Sequence, residues 1–139
     1  MEGKGRITGH TGLLALIGSP VGHSGSPAMY NYSFEKLGLD YAYVAFDIKV
    51  EEVKAALDAM RLFHMRGCNV TMPCKTEAAK YMDELSPAAR IIGAVNTIVN
   101  EDGKLIGHMT DGEGFVGNLR DHGIEIKGKK ITVAGGGGA

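Results

Sequence analysis

Short apolar runs alternate with amphipathic stretches along this chain, and a glycine, a proline or a polar turn closes each run. Continuous apolar runs of about four to eight residues are typical of strands that are buried in a parallel sheet. The pattern predicts strands over residues 13–17, 42–46, 68–71, 94–99, 105–108 and 129–133. Asn100-Glu101-Asp102-Gly103 separates two of these segments and predicts a hairpin, whose strands run antiparallel.

Helices are predicted between these strands. Ser26-Pro27 predicts a helix with Ser26 as its N-cap and proline in the first turn, and Gly38 is a typical residue to end it. Residues 50–60 carry apolar side chains at helical spacing, with charged residues between them. Further helices are predicted over 78–82, after Ser86-Pro87, and over 111–122.

This alternation indicates an α/β protein, with a mainly parallel sheet, helices on both faces and one antiparallel hairpin strand. We expect residues 1–128 to form one domain. Residues 129–139 are interpreted as the first strand and glycine-rich turn of a truncated dinucleotide-binding domain, the start of a Rossmann domain. Because the rest of such a domain is missing, we expect the strand at 129–133 to be disordered or to pair with another chain.

Composition and charge narrow the class of protein. The chain has 139 residues, of which 44% are hydrophobic and 22% charged, as in an ordinary soluble domain. A formal net charge of −1 gives no reason to expect nucleic acid or an anionic membrane as partner. The two cysteines form no CxxC pair, and no signal peptide or membrane-spanning run is present. We therefore expect a cytoplasmic protein with free thiols and without a metal site.

Ligands of α/β sheets bind at the carboxyl ends of the strands, and candidate chemistry follows each predicted strand. Ser24 and Ser26 flank a glycine at a helix start, where backbone N–H groups, the helix dipole and two hydroxyls favour a carboxylate. In the run that ends at Lys75, Asn69 and Thr71 can hydrogen-bond hydroxyl groups, and Lys75 can transfer protons. A helix cap without a ligand and a solvated lysine are the plainer alternatives.

Two further polar residues lie at the ends of the later strands. Asn96 opens an apolar strand, where it either satisfies backbone groups or binds a ligand. Asp111 follows another strand and can cap the next helix, accept a proton or hold a lysine.

The chain ends with a glycine-rich turn after an apolar run. Such a turn is typical of the start of a dinucleotide-binding βαβ unit, although the helix that would receive the pyrophosphate is not in the sequence. The candidate cofactor-binding residues are Gly135, Gly136, Gly137, Gly138 and Ala139.

Taken together and in this order, these motifs resemble the shikimate dehydrogenase family, including its quinate/shikimate branch, from Leu13 to Ala139. The resemblance implies that the substrate carboxylate is bound by Ser24 and Ser26, and the ring hydroxyls by Thr71, Asn96 and Asp111. It implies that Lys75 and Asp111 form the catalytic pair of a reversible, NADPH-dependent reduction of 3-dehydroshikimate to shikimate. It also implies NADP as cofactor, with NAD as an alternative, and a homodimer as a further expectation.

The chain departs from the family pattern at Met109, where Asn is usual, and in lacking a complete nucleotide-binding domain. We therefore expect these residues alone to bind no cofactor tightly and to show no meaningful dehydrogenase activity.

Two alternative functions stay open. The chain could belong to a quinate/shikimate dehydrogenase of quinate metabolism, or it could be a non-catalytic module that binds a small carboxylate.

Overall fold

The computed structural model describes residues 7–135, and its strands form one six-stranded sheet. The strands are β1 (Gly12–Gly18), β2 (Tyr41–Asp47), β3 (Gly67–Val70), β4 (Glu84–Leu85), β5 (Thr97–Glu101) and β6 (Lys104–His108). They lie in the order β2-β1-β3-β5-β6-β4. β1 runs parallel to β2 and β3, and β4 runs parallel to β6, whereas β5 is antiparallel to both of its neighbours. This arrangement confirms the predicted mainly parallel sheet with one antiparallel hairpin strand.

The helices are α1 (Ser26–Leu37), α2 (Val53–Leu62), α3 (Lys75–Ala79), α4 (Pro87–Ile92) and α5 (Asp111–Asp121), with a 3₁₀ turn at Val50–Glu52 before α2. Among the described residues, no helix is long and apolar enough to cross a membrane.

The alternating side chains of β1 divide the core between the two faces of the sheet. Ala15 and Ile17 pack in one cluster with residues from α2, α3 and α4, while Leu16 packs in a second cluster with Tyr43 of β2 and side chains of α1. Because successive residues of a strand point to opposite faces, one apolar strand can contribute to both clusters. The helices therefore cover both faces, as predicted.

Residues 129–133, predicted as a strand that would lack its own sheet here, form no strand within the described residues, and their pairing with another chain stays a prediction. A strand needs a neighbour for its backbone hydrogen bonds, and here the Lys129 N–H donates instead to the Ile126 carbonyl within a turn, at 3.2 Å.

Two elements differ from the prediction in their bounds by several residues, and one strand was not predicted. The helix expected at 78–82 is α3, which begins earlier, directly after the turn at Pro73, and ends at Ala79. The strand expected at 94–99 begins only at Thr97, because the Val95 N–H donates to the Lys75 carbonyl rather than to a strand. The short edge strand β4 was not predicted, since two residues show no periodicity.

Candidate active site

The candidate site lies where β1, β3 and β6 end and β5 begins. Two loops meet there: the Ser19 N–H donates to the Met72 carbonyl at 3.0 Å, and the Thr71 N–H donates to the Ile17 carbonyl at 2.9 Å. Gly18 permits this approach, because a Cβ at its position would clash with the Thr71 side chain and lie 2.8 Å from the Met72 carbonyl oxygen. The loop that carries the serines is thus held beside the loop that leads to Lys75.

Lys75 and Asp111 form an ion pair at the centre of this edge. The Lys75 Nζ donates to Asp111 Oδ2 at 2.6 Å. Lys75 opens α3 and Asp111 opens α5, so two helix starts bring the pair together. The Lys75 side chain is only 16% exposed, against 50% for Asp111. The lysine is therefore partly enclosed and still reachable by a ligand.

Asn96 holds the other side of the carboxylate. Its Nδ2 donates to Asp111 Oδ1 at 2.7 Å and to the Thr110 hydroxyl at 2.9 Å, and its Oδ1 accepts from the Thr110 N–H at 3.1 Å. The helix-capping alternative for Asp111 is wrong, because Thr110 is the N-cap of α5 and makes no side-chain cap bond. One Asp111 oxygen accepts from Lys75, the partner that was predicted, and the other accepts from Asn96, a contact that was not predicted.

These contacts determine the protonation state of the Asp111 carboxyl. The hydrogen bond from Lys75 holds the pKa of the Asp111 carboxyl below its usual value, against the opposing effect of partial burial, and the hydrogen bond from Asn96 lowers it further. Asp111 is thus a carboxylate at neutral pH. It orients the Lys75 amino group, which retains donors for a ligand because an ammonium carries more than one N–H.

The serines lie at the start of α1, but not in the predicted arrangement. Gly25 is the N-cap and Ser26 the first helical residue, so the expectation that Ser26 caps the helix is wrong. The helix is capped one residue earlier than predicted, and the Ser26 N–H donates to Ser24 Oγ at 3.2 Å. Within residues 7–135, the Ser26 hydroxyl makes no hydrogen bond. It is therefore available to a ligand.

Thr71 has a similar free hydroxyl. Its backbone is fixed by the bond to Ile17 and by the Cys74 N–H, which donates to the Thr71 carbonyl at 2.9 Å. Its hydroxyl has no partner in the part of the chain that the structure describes.

Met109, which the sequence analysis treated as a departure from the family pattern, packs against the core cluster that contains Ile98 and Leu105. With Met109 at this position, Asp111 has hydrogen bonds from Lys75 and Asn96.

The sequence analysis named Asn69 only as a residue that can hydrogen-bond hydroxyl groups, and it did not name Tyr43. Tyr43 donates through its hydroxyl to Asn69 Oδ1 at 2.9 Å, and Asn69 Nδ2 lies 3.4 Å from the Asn96 carbonyl oxygen. Asn69 stands in the same motif as Thr71, and alternation along β3 could have placed it on the α1 face. Tyr43 lies far away in the sequence, within an apolar strand, and carries no such signal.

The predicted cofactor-binding turn is only partly within the structure. Gly135 has a φ of 92°, which suits a glycine turn, while residues 136–139 lie outside the described residues. In the described part of the chain, no group of His, Cys, Asp and Glu side chains could hold a metal ion.

The family model for the shikimate dehydrogenase substrate binding domain matches residues 16–98, more than half of the chain. The chain belongs to this family. A shikimate dehydrogenase (NADP(+)) of Listeria monocytogenes serotype 4b (strain F2365) is 54% identical over 134 residues, which cover 96% of this chain and 46% of that protein. The corresponding protein of Streptococcus uberis (strain ATCC BAA-854 / 0140J) is 52% identical over 136 residues, with the same coverage of 96% and 46%.

A solved structure of this family has the same fold. The crystal structure of shikimate 5-dehydrogenase from Listeria monocytogenes, in complex with shikimate and NAD, matches with a TM-score of 0.91 and 53% identity, over 96% of this chain and 46% of that chain. These matches confirm the resemblance drawn from the motifs. The chain spans about half the length of the shikimate dehydrogenases it matches.

Proposed function

We propose that this chain forms the substrate-binding domain of an NADP-dependent shikimate dehydrogenase, which interconverts 3-dehydroshikimate and shikimate in the biosynthesis of chorismate and the aromatic amino acids. The observation that carries the proposal is the joined set of Lys75, Asp111 and Asn96, with the free hydroxyls of Ser26 and Thr71 at the same edge of the sheet. Such a set suits a small acid that carries several hydroxyl groups.

Ser24, Ser26 and the start of α1 would bind the carboxylate, because serine hydroxyls and free helix N–H groups are donors for anions. Thr71, Asn96 and Asp111 would hold the ring hydroxyls. Asn96 can do so only if its bond to Asp111 or Thr110 is shared with the ligand.

Bound NADPH supplies the hydride in such a reaction. Lys75 would stabilise the negative charge that develops on the carbonyl oxygen, and its ammonium would donate the proton that completes the hydroxyl. In the oxidation direction, the neutral amine would take the hydroxyl proton. Asp111 would keep the Lys75 amino group directed at that oxygen in both directions. Gly135 to Ala139 would lie against the cofactor.

A shikimate titration followed by amide NMR tests the substrate assignment. We expect saturable shifts at Ser24, Ser26, Lys75, Asn96 and Asp111. Replacing Ser26 by alanine should weaken binding about tenfold or more, since it removes a hydrogen bond to a charged group. Ser33→Ala is a matched control on the same helix, because the Ser33 hydroxyl bonds only to the Met29 carbonyl, at 2.9 Å.

Equal losses in the two serine variants, or no shifts at millimolar ligand, would contradict the substrate assignment. A parallel titration with quinate separates shikimate from quinate preference, since quinate has an additional hydroxyl and a saturated ring. The cytoplasmic location, the homodimer and the domain boundary after residue 128 stay predictions.

A further inference from the structure

A chain of hydrogen bonds links a buried phenol behind α1 with the lysine of the site. The Tyr43 hydroxyl donates to Asn69 Oδ1 at 2.9 Å, and Asn69 Nδ2 donates to the Asn96 carbonyl at 3.4 Å. Asn96 Nδ2 donates to Asp111 Oδ1 at 2.7 Å, and Asp111 Oδ2 accepts from the Lys75 Nζ at 2.6 Å. Three residues therefore separate Tyr43 from Lys75, and Asn96 takes part through both its backbone carbonyl and its side chain.

The direction of the Asn69 carboxamide in this chain is fixed by its partners. The Asn96 backbone carbonyl can only accept, so the Asn69 nitrogen must face it, and the Asn69 oxygen must face the Tyr43 hydroxyl. The same Asn69 nitrogen also donates to the Thr97 hydroxyl oxygen at 3.2 Å. Without a donor at Tyr43, a rotation of the carboxamide would no longer cost a hydrogen bond on that side.

Tyr43 is itself held in place by α1. Its side chain is buried, and its ring stacks on that of Tyr30, with 4.5 Å between the centroids. The Asn31 carboxamide bonds to both backbone groups of Tyr43, donating to the carbonyl at 2.7 Å and accepting from the N–H at 3.0 Å. Burial raises the pKa of the Tyr43 phenol, so the hydroxyl stays a donor. Since α1 begins at Ser26, Tyr43 connects the serine helix with the Asn69 carboxamide.

We infer that Tyr43 is a positioning residue of the substrate site, which fixes the Asn69 carboxamide and, through Asn96, the Lys75–Asp111 pair. The inference rests on the proposed function, because it assigns Tyr43 an effect on shikimate binding. Being only 3% exposed, Tyr43 acts through Asn69 and not by contact with the substrate.

Tyr43→Phe tests this role, because it removes the hydroxyl and keeps the stacked ring. We expect the dissociation constant of shikimate to rise about three- to tenfold, the effect of one neutral hydrogen bond. The side-chain amide resonances of Asn69 and Asn96 should shift in the ligand-free chain. Tyr41→Phe is a matched control in the same strand, since the Tyr41 hydroxyl has no hydrogen bond within residues 7–135.

A double-mutant cycle separates positioning from a general structural effect. In an Asn69→Ala background, Tyr43→Phe should cause no further loss of affinity, whereas a loss of equal size there would overturn the inference. Equal affinities of Tyr43→Phe and the unchanged chain would also overturn it.

If the unchanged chain does not bind shikimate, the proposed function fails, and the amide spectra alone test the inference. Shifted Asn69 and Asn96 side-chain resonances in Tyr43→Phe would then support it, and unshifted resonances would contradict it. Should Tyr43→Phe not fold, Asn69→Ala, which removes the acceptor of the Tyr43 hydroxyl, takes its place: unshifted Asn96 side-chain resonances with unchanged shikimate affinity would overturn the inference, and shifted resonances with weaker affinity would support it.

Discussion

At the scale of single residues, the site depends on a carboxylate that lies between an amino group and an amide. Asp111 has one oxygen on Lys75 and the other on Asn96, so its side chain cannot turn without breaking a bond. Lys75 is fixed from one side only and keeps donors for a ligand. The pair therefore combines a rigid member with a member that can act on a substrate.

This arrangement predicts the effect of removing Lys75. In a dehydrogenase that carries this domain together with a nucleotide-binding domain, Lys75→Ala should lower turnover about a hundredfold or more, because a positioned proton donor contributes on that order. The KM for shikimate should change much less. Steady-state kinetics at saturating cofactor measure both quantities.

Lys54→Ala is the matched control, since Lys54 forms a comparable ion pair with Asp58, at 2.7 Å, on the surface of α2. The control should leave turnover unchanged. A Lys75→Ala enzyme with normal turnover and a raised KM would rule out the catalytic role and leave only a binding role.

At the scale of elements, the site depends on how closely β3 can approach β5. Gly67 pairs with Val99 across this antiparallel contact, and Asn69 and Thr97, two positions along, pair at the edge of the site. A Cβ at Gly67 would clash with the Ile98 carbonyl oxygen and lie 3.4 Å from its carbon. Because the obstacle is backbone, no side-chain rotation can relieve it.

Gly67→Ala should therefore destabilise the fold by about 1–3 kcal/mol, the usual effect of overpacking a filled core. The free energy of unfolding in urea measures the loss. Gly22→Ala is a suitable control, since a Cβ there meets no atom within 4 Å. If Gly67→Ala unfolded at the same urea concentration as the control, the strands could separate more easily than this packing indicates.

At the scale of the whole molecule, the sequence predicts strands well where an apolar run is long enough to be identified. It predicts them poorly where the presence of a neighbouring strand decides whether the strand forms. The apolar runs at β1, β2 and β3 each carry enough residues to identify a buried strand. The run at 129–133 was also assigned to a strand, but it has no neighbouring strand among the described residues, and composition alone cannot show that. β4 is the opposite case: its two residues join the sheet only because β6 lies beside them.

The same contrast holds for the site. Lys75 and Asp111 follow strand ends and Asn96 lies at the start of a strand, positions that sequence can identify, and the structure brings them together. Tyr43 and Asn69 are joined only by the packing of α1 on the sheet. Whether each residue binds substrate stays a prediction.

The stability of the whole fold in acid depends in part on one carboxylate, because that carboxylate connects three elements of the structure. Asp83 precedes β4, accepts from the Leu105 N–H of β6 at 2.7 Å, and pairs with Arg61 of α2 at 3.0 Å. The hydrogen bond from Leu105, and after it that from Arg61, holds the pKa of Asp83 below its usual value. A lowered folded-state pKa means that the stabilisation is present above the unfolded pKa, near 4, and is lost as the pH falls toward the folded value.

Asp83→Asn should therefore lower the melting temperature at pH 7 and have a progressively smaller effect as the pH falls through about 4 toward 2. The amide can still accept from Leu105, so the difference reports the charge on Asp83. Melting temperatures measured across this pH range test the prediction, with Asp121→Asn as control, because Asp121 forms no ion pair within the described chain. A deficit that stays constant from pH 7 to pH 2 would show that the substitution distorts the β4–β6 contact, and that the charge contributes nothing.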